Sequence, residues 1–301
     1  MADVELKSQR YGKDRIRVVK VVKSDGQWQE VAELSVRVLL EGDFETSYTQ
    51  GDNSKVVATD SIKNTVYVLA KRAPSVVPIE SFALTLGQHF LHTYAHVDGV
   101  HVDISQQAWR RMRIDNQKHP HSFLRDTQAQ RVTTATTKRH ASGVHAHISS
   151  GFRDLAVLKT TGSAFYGFLR DQYTTLRETN DRILCTNIDC RWEFPAGDVA
   201  TLCSLPFDQI YTHVEQLTLG IFARENSASV QATLYNMATR ALRDLPALGQ
   251  VSYALPNNHI FSVDLAPLGL QNMGKDADVY MPIADPSGLI TAVVGRKKAK
   301  L

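Results

Sequence analysis

The stretch IRVVKVVKSDGQWQEVAELSVRV, residues 16–38, decides the fold class. Side chains alternate across a strand, so one apolar face requires apolar residues at every second position. Ile16, Val18 and Val22 alternate with Arg17, Val19 and Lys23, with Lys20 as a partial break on the apolar face. Residues 24–27, SDGQ, supply a turn. Ala32, Leu34, Val36 and Val38 then alternate with Glu33, Ser35 and Arg37. Two such runs around a short turn read as a hairpin, which makes the sheet antiparallel from its start.

Working outward, helical periodicity takes over. Residues 60–72 begin at Asp60, a candidate N-cap, and residues 79–96 place Ile79, Phe82, Ala83, Leu86 and Phe90 on one stripe. Strands follow between 99 and 136. The same order then returns. Strand-like segments cover 143–158 and 183–194. Helix 207–223 carries Phe207, Ile210, Tyr211, Val214, Leu217 and Ile221, and helix 228–244 carries Val230, Leu234, Met237, Ala238, Ala241 and Leu242. Strands at 251–265 and 278–294 close the chain. Each half reads strand, strand, helix, helix, strand, strand, with a break near 137–142, TKRHAS. Antiparallel strands with helices gathered on one face make an α+β architecture. Open sheet edges are a liability, so an oligomer is expected.

Composition bounds the function. The 301 residues are 43% hydrophobic and 22% charged, as in an ordinary folded chain. A net charge of +3 does not argue for nucleic acid. No apolar run reaches the length of a membrane span, and the start has no signal-peptide core. With three cysteines, Cys185, Cys190 and Cys203, and no CxxC, reduced thiols in an intracellular protein are expected. No GxGxxG or P-loop is present, so nucleotide cofactors find no support.

Four places are candidates for chemistry. In YALPNNHIFSVDL, residues 253–265, Asn257 and His259 share strand parity with Tyr253, Leu255, Phe261, Val263 and Leu265. They either bond to a structural neighbour or line a cavity, and Pro256 marks an edge or a bulge. In DRILCTNIDCRWEF, the parity of Leu184, Ile188, Cys190, Trp192 and Phe194 extends back to Arg182. That arginine either grips an anion or pairs with Asp181 or Glu178. In ENSASVQATLY, Asn226 or Ser227 caps a helix whose first turn holds Val230 and Gln231, a place that favours an anion. In VVATDSIKN, Thr59 and Asp60 sit where a helix begins, and Asp60 is either its cap or a site residue. Metal is the alternative chemistry. His89, His92 and His96 fall near one helical face, without an HExxH pattern or an acidic cluster beside them. His140, His145 and His147 read as solvated, and His119 with His121 as structural or near a site.

The chain also resembles a known family. YGKD (11–14), VATDSIKNT (57–65), VLKTTGSAFYGFLRDQYTTLRETNDRIL (157–184), NSASVQATLY (226–235) and LPNNHIFSVDL (255–265) resemble urate oxidase, also called uricase, in order along nearly the whole chain. The resemblance implies two tandem T-fold (tunnelling-fold) domains, residues 1–138 and 139–301, in a barrel-forming homotetramer. It implies oxidation of urate by O2 and water to 5-hydroxyisourate and hydrogen peroxide with no metal, flavin or haem. Arg182 and Gln231 would grip the purine edge, the Val230 N–H would add a donor, Phe165 would stack on the ring and Leu176 would line the pocket. Lys13, Thr59 and His259 would form a proton relay, Asn257 with Thr59 would hold O2 and water, and Asp60 would help place the substrate. Lys13, Thr59 and Asp60 would come from the neighbouring subunit. Ala299-Lys300-Leu301 resembles the Ser-Lys-Leu peroxisomal address, which implies an import receptor and a peroxisomal location. Asn180 and Cys185 depart from residues common in the family, at positions without a catalytic role. The alternatives are a purine- or pterin-binding protein of the same fold without catalysis, and a metal-dependent hydrolase using the His89–His92–His96 face.

Overall fold

Residues 4–24 and 26–297 are described by the computed structural model; Asp25 of the anticipated turn and the tripeptide Ala299-Lys300-Leu301 lie outside the described residues. The chain forms two compact units, Met1–Gly151 with Trp192–Ile210, and Phe152–Arg191 with Tyr211–Leu301.

The first unit starts with the anticipated hairpin, β1 (Tyr11–Lys23) against β2 (Gln29–Gly42), in the register Ile16↔Val36 and Val18↔Leu34. Ile16, Val18, Leu34, Val36, Val38 and Leu40 are all buried on its inner face. A short α1 (Glu45–Thr49), not anticipated, precedes α2 (Thr59–Arg72) and α3 (Ile79–Thr93). Strands β3 (Val97–Ile114) and β4 (Gln117–His140) complete an antiparallel order β1-β2-β3-β4. Both helices lie on the sheet: Ile62, Val66 and Ala70 of α2 and Phe82, Leu86 and Phe90 of α3 are buried. Lys20, the break in the β1 pattern, has a local explanation. Its Nζ donates to the carbonyls of Ala70, Lys71 and Ala73, so a cation closes the C-terminal end of α2. One polar cluster braces this unit. Arg131 donates to Glu80, which is 1% exposed, at 2.7 Å and to Asp208 at 2.5 Å. The TKRHAS break is a tight turn at 141–142 before β5 (Gly143–Lys159).

In the second unit, Leu184, Thr186, Ile188 and Cys190 of β6 (Leu184–Glu193) alternate inward. The two-residue β7 (Gly197–Asp198) and the one-turn α4 (Val199–Cys203) follow in the chain. Helix α5 (Phe207–Arg224) buries Phe207, Ile210 and Val214 as expected, but its stripe continues through Thr218 and Phe222. Tyr211, Leu217 and Ile221 flank that stripe half-buried. Helix α6 (Val230–Asp244) buries Val230, Leu234, Met237, Ala238, Ala241 and Leu242 as expected. It packs on β8 (Gln250–Ser262) and β9 (Tyr280–Gly295), which pair antiparallel. Thr218 of α5 and Tyr253 of β8 join hydroxyls at 2.6 Å in the core. The architecture is α+β, and no helix among the described residues is long and apolar enough to cross a membrane.

The apolar face expected along 253–265 is only half present. Tyr253 and Leu255 are buried, Asn257 and His259 are half-exposed, Phe261 is 51% exposed, and the strand ends at Ser262 before Val263 and Leu265. The polar residues thus begin where this face leaves the core.

Candidate active site

The second unit gathers five of the ten candidate residues, Phe165, Leu176, Arg182, Val230 and Gln231, on or beside one loop, 160–183. Its two ends are tied together by backbone bonds: Phe165 and Thr179 exchange N–H···O bonds of 2.8 and 3.0 Å, and the Arg182 N–H donates to the Ser163 carbonyl at 2.8 Å. The same loop is laced to the approach of α6, because Ala164 donates to the Ser227 carbonyl and Ser227 to that of Gly162. These bonds bring Phe165 and Arg182 to the tip of the helix that starts with Val230 and Gln231.

The cap of that helix is Ser229, not Asn226 or Ser227. Its hydroxyl accepts from the Ala232 N–H at 3.1 Å. Asn226 is too far upstream, and Ser227 turns its own hydroxyl to Thr233 and to the Ser229 carbonyl. The helix ladder has no acceptor for the N–H groups of Val230 and Gln231, and the cap serves only the third position. The two amides remain directed at whatever lies beyond the tip, and the Gln231 side chain is exposed beside them.

Arg182 is half-buried and is not paired with either nearby acid. Asp181 accepts from the Thr161 hydroxyl and the Gly162 N–H, and Glu178 accepts from the Gly167 N–H. Both carboxylates are spent on shaping the loop. The Arg182 Nε is buried without a hydrogen-bond partner, and burial lowers the pKa from the ordinary guanidinium value. Its Cζ stands 5.3 Å from the Phe165 ring centroid. The Phe165 ring stacks on Phe168, 4.9 Å away and 11° from parallel. A buried donor with no acceptor costs about 1–3 kcal/mol, and an anion at this place removes that cost. Leu176 lies on the same loop, 48% exposed, with its carbonyl accepting from Arg170.

On β8, Asn257 pairs with Gly288 and His259 with Ile283, so the register shifts between them. That irregularity is the one Pro256 signalled. The Asn258 side chain, between them, donates to Asn187 at 2.9 Å, and the His259 ring lies 5.8 Å from that of Phe261 in a stack.

The first unit carries the other three residues. Lys13 stands at a bulge of β1, where the register shifts between Lys13 and Ile16 and Arg15 takes a φ of 55°. Gly12 before it is obligatory, since a Cβ there would meet the Val38 carbonyl oxygen at 1.9 Å. The Tyr11 hydroxyl accepts from the Val57 N–H at 2.7 Å and donates to its carbonyl at 3.2 Å. This locks the start of β1 beside the loop that delivers Thr59. The N-cap of α2 is Ala58, without a side-chain bond, so Asp60 is not the cap. Asp60 instead accepts from Lys63 at 2.6 Å and Asn64 at 2.9 Å. The Lys63 hydrogen bond leads in holding its carboxyl below the usual range, and the charge of Lys13 adds to it.

The three-histidine face does not form. Helix α3 ends at Thr93, and His96 beyond it bonds the Lys55 carbonyl at 2.8 Å and packs on Phe44. Among the described residues no group of three or more His, Cys, Asp or Glu is placed to hold a metal ion. His145 meets Ser142, His147 meets Glu193, and the rings of His119 and His121 pack edge to face at 4.6 Å. What sequence reasoning missed is the scaffold: Ser163 drew no notice, Ser227 was expected as a cap and Glu178 and Asp181 as partners of Arg182, whereas all four shape the loop.

Comparison with known proteins identifies the family. The family profile "Uricase" matches residues 9–136 and 148–291, leaving out the turn between β4 and β5. The uricase of Aspergillus flavus is 47% identical over 300 residues, covering 98% of each chain. That of Cyberlindnera jadinii is 44% identical over 306 residues, covering 98% of this chain and 99% of its own. The crystal structure of uricase from Arthrobacter globiformis aligns at a TM-score of 0.86 with 38% identity, over 100% of this chain and 98% of that one. With the T-fold, the sequence and the profile in agreement over nearly the full length, the chain belongs to the uricase family, whose work is the oxidation of urate.

Proposed function

We propose that this chain converts urate, O2 and water to 5-hydroxyisourate and hydrogen peroxide, at a site shared between neighbouring subunits of a homotetramer. Two electrons leave the purine and reduce O2 to peroxide, while water supplies the new hydroxyl, so the atoms balance without another oxidant. Each chain is read as two tandem T-fold domains dividing near residue 138. The observation that carries the proposal is the Arg182 guanidinium, held beside Phe165 at the tip of α6 with its buried Nε unpartnered.

On this reading Arg182 and Gln231 grip the flat urate anion by its edge. The Val230 N–H donates to it, Phe165 covers one face and Leu176 closes the rim. Bidentate guanidinium contacts suit a planar anion and fix its orientation. Lys13 and Thr59 of a neighbouring subunit, with Asp60 beside them, meet His259 to form the proton relay. Asn257 and Thr59 hold O2, and later water, above the reacting carbon. Deprotonated urate is electron-rich, so positioning and proton management suffice and no metal, flavin or haem enters the reading. The Ala299-Lys300-Leu301 tail would address the enzyme to the peroxisome, where its peroxide product is handled.

The test is a urate assay with and without a strong chelator. Loss of the near-ultraviolet absorbance of urate, with matching O2 uptake and peroxide release in both arms, is expected. Urate bound without O2 uptake would instead favour the non-catalytic purine- or pterin-binding protein. Activity abolished by chelation and restored by one metal would overturn the cofactor-free reaction.

A further inference from the structure

The β8–β9 ribbon is built in two pieces, and His259 stands on the weaker one. Between the pairs Asn257↔Gly288 and His259↔Ile283, a single residue of β8 faces the stretch 284–287 of β9. The inner piece is anchored by the buried Val251, Tyr253 and Leu255. The outer piece, His259–Ser262 against Tyr280–Ile283, has no buried residue of its own. Its far end opens into the loop 263–279.

That loop has no apolar core either. Leu268, Leu270, Met273 and Val279 are 76%, 58%, 50% and 49% exposed. Its one buried side chain among the described residues is polar: Asn272, 2% exposed. The Asn272 amide is saturated. Its Nδ2 donates to the carbonyls of Val263 at 2.9 Å and Val279 at 2.7 Å. Its Oδ1 accepts from the N–H groups of Asp278 at 2.9 Å and Val279 at 3.0 Å. An amide offers two donors and two acceptor sites, and here all are used. The Val263 N–H also donates to the Val279 carbonyl, so the amide acts as a further rung just past the pair Ser262↔Tyr280. A side chain thus closes a ribbon end that packing does not close.

We propose that Asn272 is a positioning residue for His259, clamping the ribbon end so that the imidazole is held in place without Asn272 touching substrate. The proposal rests on the role given to His259 above. Asn272 belongs to neither the urate-gripping loop nor the helix tip, so its loss should reach turnover and spare urate binding.

The test is a kinetic cycle on the full-length enzyme with Asn272→Ala, Asn272→Asp, His259→Ala and the double variant N272A/H259A. Asn272→Ala is expected to lower kcat by about ten- to a hundredfold, the cost of a misplaced catalytic group, with KM for urate nearly unchanged. On the His259→Ala background it should add no further loss. Asn272→Asp keeps the accepting oxygen but faces two carbonyls with a carboxylate, so it should show the same pattern and serves if N272A does not fold. An equal fold-loss from Asn272→Ala in both backgrounds overturns the proposal while leaving the role of His259 intact. Wild-type turnover by His259→Ala overturns that role and the clamp with it. Failure of both Asn272 variants to fold assigns the amide to folding alone and overturns the proposal as well.

Discussion

Around Arg131 the first unit pairs a buried guanidinium with two carboxylates, whereas around Arg182 the second unit turns both neighbouring acids away from the guanidinium. Arg131 reaches Glu80 and Asp208 at 2.7 and 2.5 Å, inside a wall formed by α3, β4 and the start of α5. Arg182 has two acids within a few residues, yet both serve backbone N–H groups or a hydroxyl of the loop. Neither carboxylate reaches the guanidinium. Burying charge is tolerated where a partner compensates it, and an uncompensated donor persists in a fold when something outside the chain completes it. The contrast separates an arginine that builds the protein from one that waits for an anion.

The contrast can be broken by substitution. The largest effect belongs to Arg131→Met, which strands the buried Glu80 carboxyl. It should cost about 3–5 kcal/mol of stability, seen as a lower midpoint in denaturant, with activity per folded molecule retained. Arg182→Met has no internal partner to orphan. It should hold or raise the stability of the free protein, by up to about 1–3 kcal/mol as the unpaired donor is removed, while raising the KM for urate about 10- to 150-fold, the worth of a lost charge-assisted hydrogen bond. Arg182→Lys should fall between, since it keeps the charge and loses the fork. If Arg182→Met instead melts the protein and Arg131→Met instead weakens urate binding, the contrast has been drawn the wrong way round. Ser229→Ala sharpens it at the helix tip: losing the cap should cost about 1 kcal/mol of stability, read by thermal melting.

The smallest effect concerns pH. The hydrogen bond from His101 leads in holding the Glu41 carboxyl below the ordinary 4.5, with Lys138 adding to it. A depressed folded-state pKa contributes stability that is fully present above the ordinary glutamate value and lost as pH falls through the lowered one. The stability gap between wild type and Glu41→Gln should therefore be present at neutral pH and shrink below pH 4.5. A gap that widens in acid would contradict the assignment.

Much of the fold was legible because it rests on periodicity. The β1–β2 hairpin, the α6 stripe and the inward residues of β6 follow from patterns a few residues long. What was not legible depends on contacts distant in sequence or on the identity of a cap. Lys20 read as a flaw until the end of α2 arrived beside it. Asp60 does not cap α2, and Ser229 rather than Asn226 or Ser227 caps α6, because several Ser, Asn and Asp residues suit a cap and only backbone geometry chooses among them. His96 left the supposed histidine face because the chain turns into β3 first. Asn272 gave no signal, since its partners are four backbone groups, which no side-chain pattern marks. The candidate site was legible as residue types in familiar order. The reason for the open guanidinium, two acids committed to the loop, required coordinates.

The most direct test of the shared site mixes two crippled chains. Lys13→Met and Arg182→Met each remove one half of it, so each homogeneous enzyme should be nearly inactive at urate concentrations below the wild-type KM. Hybrid tetramers formed by co-expression should regain urate oxidation, because some sites then pair an intact Lys13 from one chain with an intact Arg182 from another. Hybrids that form yet stay as inactive as their parents would place both residues in one chain's site and contradict the account.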